Sequence, residues 1–316
     1  MANKQKPRIL VIGSANMDLM AKVNTVPSGG ETVMGKSYEY LPGGKGANAA
    51  LSFSRLGSEC IFCTRLGNDV HGGRLKEFYS RSGIDTRHVM TDYKSHTGLA
   101  IVLVEKSGEN RIVIYPGANM TLNAENAEDA MTTCPDAVFM QFEMPTEVVL
   151  AATESANRHK IPVFIDGGPA KSDFPLEKLG KLEVFSPNET ETYVYTGIEP
   201  RGEQSCLKAA MKLSQRVDAR YIVLKLGSRG AYVYDNPRCS FKSAIPVDAV
   251  DTTAAGDVFT SALTFEMMRS GDILRAVEFG NIAGALSVTR EGAAQSIPTM
   301  EEIRAFIAEK ELSYIL

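Results

Sequence analysis

The chain has 316 residues, 44% of them hydrophobic and 23% charged, with a formal net charge of −4. A chain of this size and composition buries a core without disulfide or metal staples, and its mild acidity excludes the basic field that nucleic-acid binding requires. Its five cysteines are odd in number and scattered, which suits reduced thiols and a cytoplasmic protein, and no apolar run is long enough to span a bilayer.

In chain order, the first thirteen residues carry basic side chains but no apolar stretch of signal-peptide length. Residues 9–13 (ILVIG) predict a buried strand. Residues 18–40 alternate apolar and polar around a Pro-Ser-Gly-Gly turn, and 45–56 predict a helix with small and apolar residues on one face. Residues 60–66 (CIFCTRL) read as a strand and 72–82 as a helix. Cys60 and Cys63 form a C-x-x-C, but no second pair completes a tetrahedral zinc site, so a buried strand is the better reading. Residues 98–115 predict a hairpin turning at Ser107-Gly108.

From there short apolar strands alternate with helices. Strands are expected at 137–142, 161–166, 182–185, 221–227 and 231–235, and helices at 146–158, 203–216, 257–269, 272–289 and 300–310. The fold class that follows is α/β: a single domain over 1–316, with a mostly parallel sheet covered by helices on both faces. The segments 18–42 and 97–117 break the rhythm and predict a small antiparallel sheet projecting from it. Such a sheet leaves a face exposed unless it covers a site or meets a partner.

The segment Asp251-Thr252-Thr253-Ala254-Ala255-Gly256-Asp257 carries the clearest chemistry. Small residues and a glycine open a helix whose first amides have no intrahelical partners and whose dipole favours negative charge. Asp257 in the first turn sets a carboxylate beside that anion hole, the arrangement phosphoryl transfer needs. A lone Asp there is otherwise only a cap.

Other segments are weaker alone. Gly43-Gly44-Lys45-Gly46-Ala47-Asn48 is glycine-rich and opens a helix, but it lacks the Walker A spacing. Asn16 and Asp18 follow the first strand, where open α/β sheets bind ligands; the pair suits sugar hydroxyls, or simply a turn. Asn188 and Glu191 share a helical face and can hold hydrated magnesium, or can serve as cap and surface charge. The turn Gly227-Ser228-Arg229-Gly230 joins two strands tightly and offers amides and Arg229 to phosphate.

Together these motifs resemble the ribokinase-like carbohydrate kinases. The N-terminal signature is present as GGKGANAALSFSRLG and the C-terminal one as DTTAAGDVFTSAL, with GSANMDL, PSGGETV, PGAN, QFEMP, PNETE, LGSRG and VTREGAAQSIP in the family's order from about Ile9 to Pro298. The resemblance implies an ATP-dependent kinase transferring the γ-phosphate to the primary 5-hydroxyl of ribose. Asp257 is then the base, and the amides of Ala254, Ala255 and Gly256 form the anion hole. Asn16, Asp18, Gly44, Lys45, Asn48 and Glu143 are the implied sugar contacts. Asn188, Lys225, Gly227, Ser228, Gly230, Gly256 and Asn281 are the implied ATP contacts, and Glu191 holds Mg2+ through water. A K+ site is implied at Asp251, Thr253, Ser287, Arg290, Gly292 and Ser296, and a homodimer through the lid sheet.

Two positions depart from the family pattern. Asp166-Gly167-Gly168-Pro169-Ala170 stands where Asn-Pro-Ala-Pro-Ala is usual, and Lys225 replaces a common threonine, as in some related sugar-acid and fructose kinases. The alternatives within the class are kinases for deoxyribose, fructose or a nucleoside, with Met34, Leu41, Ala100 and Val102 as lid residues that could meet a base. Outside it stand a non-catalytic sugar-binding protein, which has no need of Asp257, and a nicotinamide-dependent oxidoreductase, which lacks its G-x-G-x-x-G after the first strand.

Overall fold

The computed structural model describes residues 6–107 and 109–314. Gly108 of the expected hairpin turn, and the two ends of the expected 1–316 domain, lie outside the described residues. The chain runs β1 (Arg8–Ile12), β2 (Asn16–Val23), β3 (Gly35–Gly43), α1 (Lys45–Leu56), β4 (Glu59–Gly67), α2 (Val70–Arg81), β5 (Val89–Asp92), β6 (Gly98–Val104) and β7 (Asn110–Tyr115). It continues α3 (Ala124–Met131), β8 (Ala137–Met140), α4 (Thr146–Arg158), β9 (Val163–Asp166), β10 (Leu182–Ser186), α5 (Glu189–Thr196), α6 (Glu203–Ser214) and β11 (Ala219–Lys225). Last come β12 (Gly230–Asp235), β13 (Arg238–Ser243), α7 (Ala255–Ser270), α8 (Ile273–Ser287) and α9 (Met300–Glu309).

The main sheet has the order β13-β12-β11-β10-β9-β8-β1-β4-β5. It is parallel from β11 to β5, with β12 and β13 added antiparallel at one edge. Strand alternation splits the apolar side chains between its faces. Ile9 and Val11 join Phe53, Phe139 and the α7–α8 residues on one side, while Leu10 and Ile12 join Val138, Met140 and residues of α4 and α6 on the other. Central strands buried on both faces must read as continuous apolar runs, and β1 does. The C-x-x-C obeys the same rule: Cys60 and Cys63 lie in β4 and belong to opposite packing clusters, so they cannot share one ion. Burial pushes the Cys63 thiol up to about 12.

The second sheet has the order β3-β2-β6-β7. Each of its hairpins is antiparallel, but they are joined by a parallel β2–β6 pairing that sets Asn16 opposite Gly98. Alternation alone does not reveal that parallel seam, because pairing direction leaves no mark on it. Of the lid residues singled out from the sequence, Ala100 and Val102 are buried, Leu41 is partly buried and Met34 is exposed.

Candidate active site

Parallel strands feeding crossover helices bring their carboxyl ends to one edge of the sheet, and the expected site residues collect there. Asn16 and Glu143 follow β1 and β8, Asp166 and Lys225 end β9 and β11, and Asn188 follows β10. The opposite ends of β1 and β4 border a cavity of about 450 Å³. The charges there neutralise one another, Arg8 bonding Glu59 and Arg87 bonding Asp85.

Asp257 lies in the first turn of α7 and is 6% exposed. Lys45 Nζ reaches its Oδ1 at 3.0 Å and Asn48 Nδ2 donates to its Oδ2 at 2.8 Å, so α1 supplies a partner to each carboxylate oxygen. Among the described residues no side chain caps α7, and its N-cap Ala254 sits at φ 62, a left-handed conformation uncommon for a residue with a Cβ. The amide of Ala255 donates to Thr252 O at 3.2 Å. Among the described residues, the amides of Ala254 and Gly256 have no protein acceptor.

On one side of Asp257 stand the residues expected to meet the sugar. Asn16 is fixed by Asn119, whose Nδ2 donates to Asn16 Oδ1 at 2.7 Å and whose Oδ1 accepts from Ala15 N at 2.8 Å. Glu143 Oε2 accepts from Ser14 Oγ at 2.5 Å and from the amide of Lys45 at 3.1 Å. Asp18 packs over Gly43, where a Cβ would fall 2.1 Å from Asp18 Oδ2, so only glycine seats the carboxylate there. Asp18 Oδ1 is buried without a partner among the described residues, an acceptor suited to a hydroxyl. Burial, with the nearby Glu143 carboxylate, pushes Asp18 up to about 7. Gly44, at φ 91, turns the chain from β3 into α1.

On the other side is a cavity of about 640 Å³, lined by Asn188, Lys225, Gly227, Ser228 and Asn281 together with apolar Ile245, Pro246 and Phe259. An apolar wall with a few polar groups is the usual make-up of a small-ligand pocket. Asn281 Nδ2 donates to the carbonyls of Lys242 and Ser243, which ties α8 to β13. The turn from Gly227 to Gly230 uses positive φ at both glycines. Arg229 bonds Glu189 and the carbonyls of Pro200 and Arg201, so its guanidinium serves the loop and not the cavity.

Asn188 and Glu191 form a reciprocal cap of α5: Asn188 Oδ1 accepts from Glu191 N at 2.8 Å, and Glu191 Oε2 from Asn188 N at 2.7 Å. The capping alternative is therefore realised, yet Glu191 is no surface charge, being 6% exposed. Burial raises its carboxyl above the ordinary value, with Lys225, Asp166 and Lys45 as the charges acting on it. Burial alone would lower Lys45, but the carboxylates of Asp257, Asp166, Glu191 and Glu143 outweigh it and hold the ammonium well above its usual range.

The third cluster is the loop before α7. Asp251 Oδ1 accepts from the amide and hydroxyl of Thr253 at 2.9 and 2.6 Å, and its Oδ2 from Gly292 N at 2.9 Å. Ser287, Arg290 and Ser296 belong to the segment that carries Gly292; the Ser287 carbonyl accepts from Arg290 N, and Ser296 Oγ donates to Ala293 O. The Arg290 side chain turns away to Glu302.

Sequence reasoning passed over several contributors. Ser14 and Asn119 lie inside the GSANMDL and PGAN segments, and they hold the site residues Glu143 and Asn16. Thr260, one turn beyond Asp257, bonds Asp166 Oδ2 at 2.7 Å and Gly256 O at 3.0 Å.

The model of the pfkB family of carbohydrate kinases matches residues 6–300. The chain is 35% identical over 303 residues to a ribokinase of Haemophilus influenzae, covering 95% of this chain and 98% of that one. It is 30% identical over 306 residues to a deoxyribokinase of Salmonella typhi, covering 96% and 99%. A solved structure of Arabidopsis thaliana ribokinase complexed with ribose and ATP superposes with a TM-score of 0.85 at 28% identity, covering 96% and 99%. With the catalytic-edge geometry above, these likenesses make the chain a member of the pfkB family of carbohydrate kinases.

Proposed function

We propose that this kinase transfers the γ-phosphate of ATP to the primary 5-hydroxyl of ribose, acting as one α/β domain under its lid sheet. The observation that carries the reading is Asp257: a buried carboxylate, held by Lys45 and Asn48, in the first turn of a helix without a side-chain cap, between a polar pocket and a nucleotide-sized cavity. Asn16, Asp18, Gly44, Lys45, Asn48 and Glu143 bind and orient the sugar. Asp257 takes the hydroxyl proton as the oxygen attacks phosphorus in line. The amides of Ala254, Ala255 and Gly256 stabilise charge on the transferring group, and Ala255 exchanges its bond to Thr252 for the phosphate. Asn188, Lys225, Gly227, Ser228, Gly230 and Asn281 hold the nucleotide.

Mg2+ fits beside Glu191, a buried carboxylate bonded to the amide of Asn188, which lines the nucleotide cavity; Glu191 would hold it through water, and the ion would neutralise phosphate charge. K+ fits the loop of Asp251, whose carboxylate, with the carbonyls of Thr253, Ser287, Arg290 and Gly292 and the hydroxyl of Ser296, is a donor set for a large, weakly hydrated cation. That cation would order the loop presenting the anion hole. The lid supports a homodimer: Ile112 and Ile114 are apolar, largely exposed and on one face of β7, and a symmetric pairing of lid sheets would cover them. Among the described residues no helix is long and apolar enough to cross a membrane. A cytoplasmic location agrees with the reduced cysteines.

The testing experiment is ATP-dependent phosphorylation across ribose, deoxyribose, fructose and two nucleosides, with potassium and with sodium. Ribose turnover raised by potassium is expected. Turnover of deoxyribose in preference to ribose would move the substrate and keep the mechanism. No turnover by folded protein would favour a binding role.

A further inference from the structure

The two departures from the family pattern, 59 residues apart in sequence, touch in the structure: Lys225 Nζ bonds Asp166 Oδ2. Lys225 and Asp166 are 8% and 1% exposed. They end β11 and β9, the two neighbours of β10, so the pair bridges the carboxyl end of the strand between them. Thr260 Oγ1 accepts from Lys225 Nζ at 3.3 Å and bonds Asp166 Oδ2 and Gly256 O, which ties the pair to the first turns of α7. A Cβ built on Gly256 would lie 3.6 Å from Lys225 Nζ, so the ammonium stands against the anion hole. Lys225 also lines the nucleotide cavity. An ammonium has three donors. Two are spent on Asp166 and Thr260, and the third remains for a ligand at Gly256.

We propose that Lys225 is a phosphate-binding residue of this kinase, placing a fixed positive charge on the γ-phosphate at Gly256, and that Asp166 is the positioning residue that holds it there. The inference rests on the phosphotransferase reading. A lone lysine buried at β11 would carry an uncompensated charge, and a lone Asp166 would do the same at β9, each strongly destabilising. Together they are neutral, and the lysine keeps a donor toward the phosphate that a threonine hydroxyl could offer only without charge. Burial by itself would raise Asp166, but Lys225 and Lys45, with hydrogen bonds from Lys225 and Thr260, hold it below the ordinary carboxyl value, so it remains the counter-ion throughout the neutral range. A purely structural salt bridge is the competing account, and strand pairing through β10 already holds β9 and β11 together.

Because K225M leaves Asp166 buried and unpaired, the decisive variant is K225T/D166N, which removes both charges. Dissociation constants for ADP and for a non-hydrolysable ATP analogue are measured by calorimetry without sugar, beside thermal midpoints, and kcat is measured with the sugar the parent turns over. The expected result is a parent-like thermal midpoint, ADP affinity within threefold, analogue affinity weakened tenfold or more, and kcat lowered on the order of a hundredfold, as for loss of one charge-stabilising donor. K225R should recover part of the analogue affinity. Analogue affinity within threefold of the parent, or equal losses for ADP and the analogue, would overturn the assignment. A parent that phosphorylates no sugar would instead overturn the proposed function, and the two nucleotide affinities would still read Lys225.

Discussion

Replacing Asp18 by Asn separates what the sugar pocket costs the fold from what it gives to binding. In the folded chain Asp18 is pushed from the ordinary 3.8 to about 7, by burial first and by Glu143 second. Its ionised form is therefore disfavoured by folding. Between about pH 4 and 7 the native chain holds a proton that the unfolded chain has lost, so stability falls as pH rises through that window. At 1.36 kcal/mol per pH unit the full penalty above pH 7 is at most about 4 kcal/mol, and some water access to this partly buried group brings the expected value to about 2 kcal/mol. Asp18→Asn should therefore unfold at higher denaturant than the parent at pH 8.5, and the two should converge at pH 4. The assay is urea unfolding in buffers from pH 4 to 8.5, without sugar. The same variant should bind sugar more weakly by about 1.5–3 kcal/mol, the worth of hydrogen bonds to a charged acceptor. In the parent, kcat/KM for the sugar should decline below about pH 7 as Asp18 takes up its proton. A stability difference that does not change with pH, or a variant less stable than the parent at pH 8.5, would refute the reasoning.

Ala254→Gly should relieve the left-handed N-cap of α7 at φ 62, leaving stability equal to the parent or higher by up to about 1 kcal/mol. It should lower kcat by loosening the anion hole, and thermal denaturation with steady-state kinetics checks both. Gly168→Ala would set a Cβ 2.1 Å from Glu191 Oε1 and 3.2 Å from Lys45 Cε. Displacing both should destabilise the chain by about 1–3 kcal/mol and raise the magnesium concentration needed for half-maximal rate, read by magnesium titration. Ile112→Lys with Ile114→Lys on the exposed β7 should convert a dimer to a monomer in sedimentation velocity; a parent that sediments as a monomer at micromolar concentration would remove the lid-dimer proposal.

The fold was legible where the physics is local. The runs at β1, β9 and β11 are apolar because both sheet faces are covered, and α1 and α7 announce themselves by small residues and glycine at their starts, although both are buried nearly all round and not along one stripe. Elements at the margins were missed: β5 has four residues, β13 alternates polar side chains on an edge, and α3 is eight residues long. The site was legible as segments but not as contacts. Lys45 and Asn48, expected against the sugar, also hold the two oxygens of Asp257 from the start of another helix, and nothing local encodes that meeting. Gly167 and Gly168 stand in the sequence only as a departure from the family pattern, whereas the structure shows room made for Pro187 and for the Glu191 carboxylate. Asn119 is equally hidden, since an asparagine following a glycine turn carries no sign that it will fix Asn16.

The central claim is that Asp257 is the base for a primary sugar hydroxyl. It is tested most directly by comparing kcat of the parent and Asp257→Asn with ribose and ATP, the product being identified by phosphorus NMR. The account predicts a phosphomonoester on the terminal carbon from the parent. It also predicts a loss in the variant of about 10²–10⁴-fold, the usual worth of a general base, with ribose affinity and thermal midpoint largely kept. A folded Asp257→Asn variant turning over within a few-fold of the parent would contradict it.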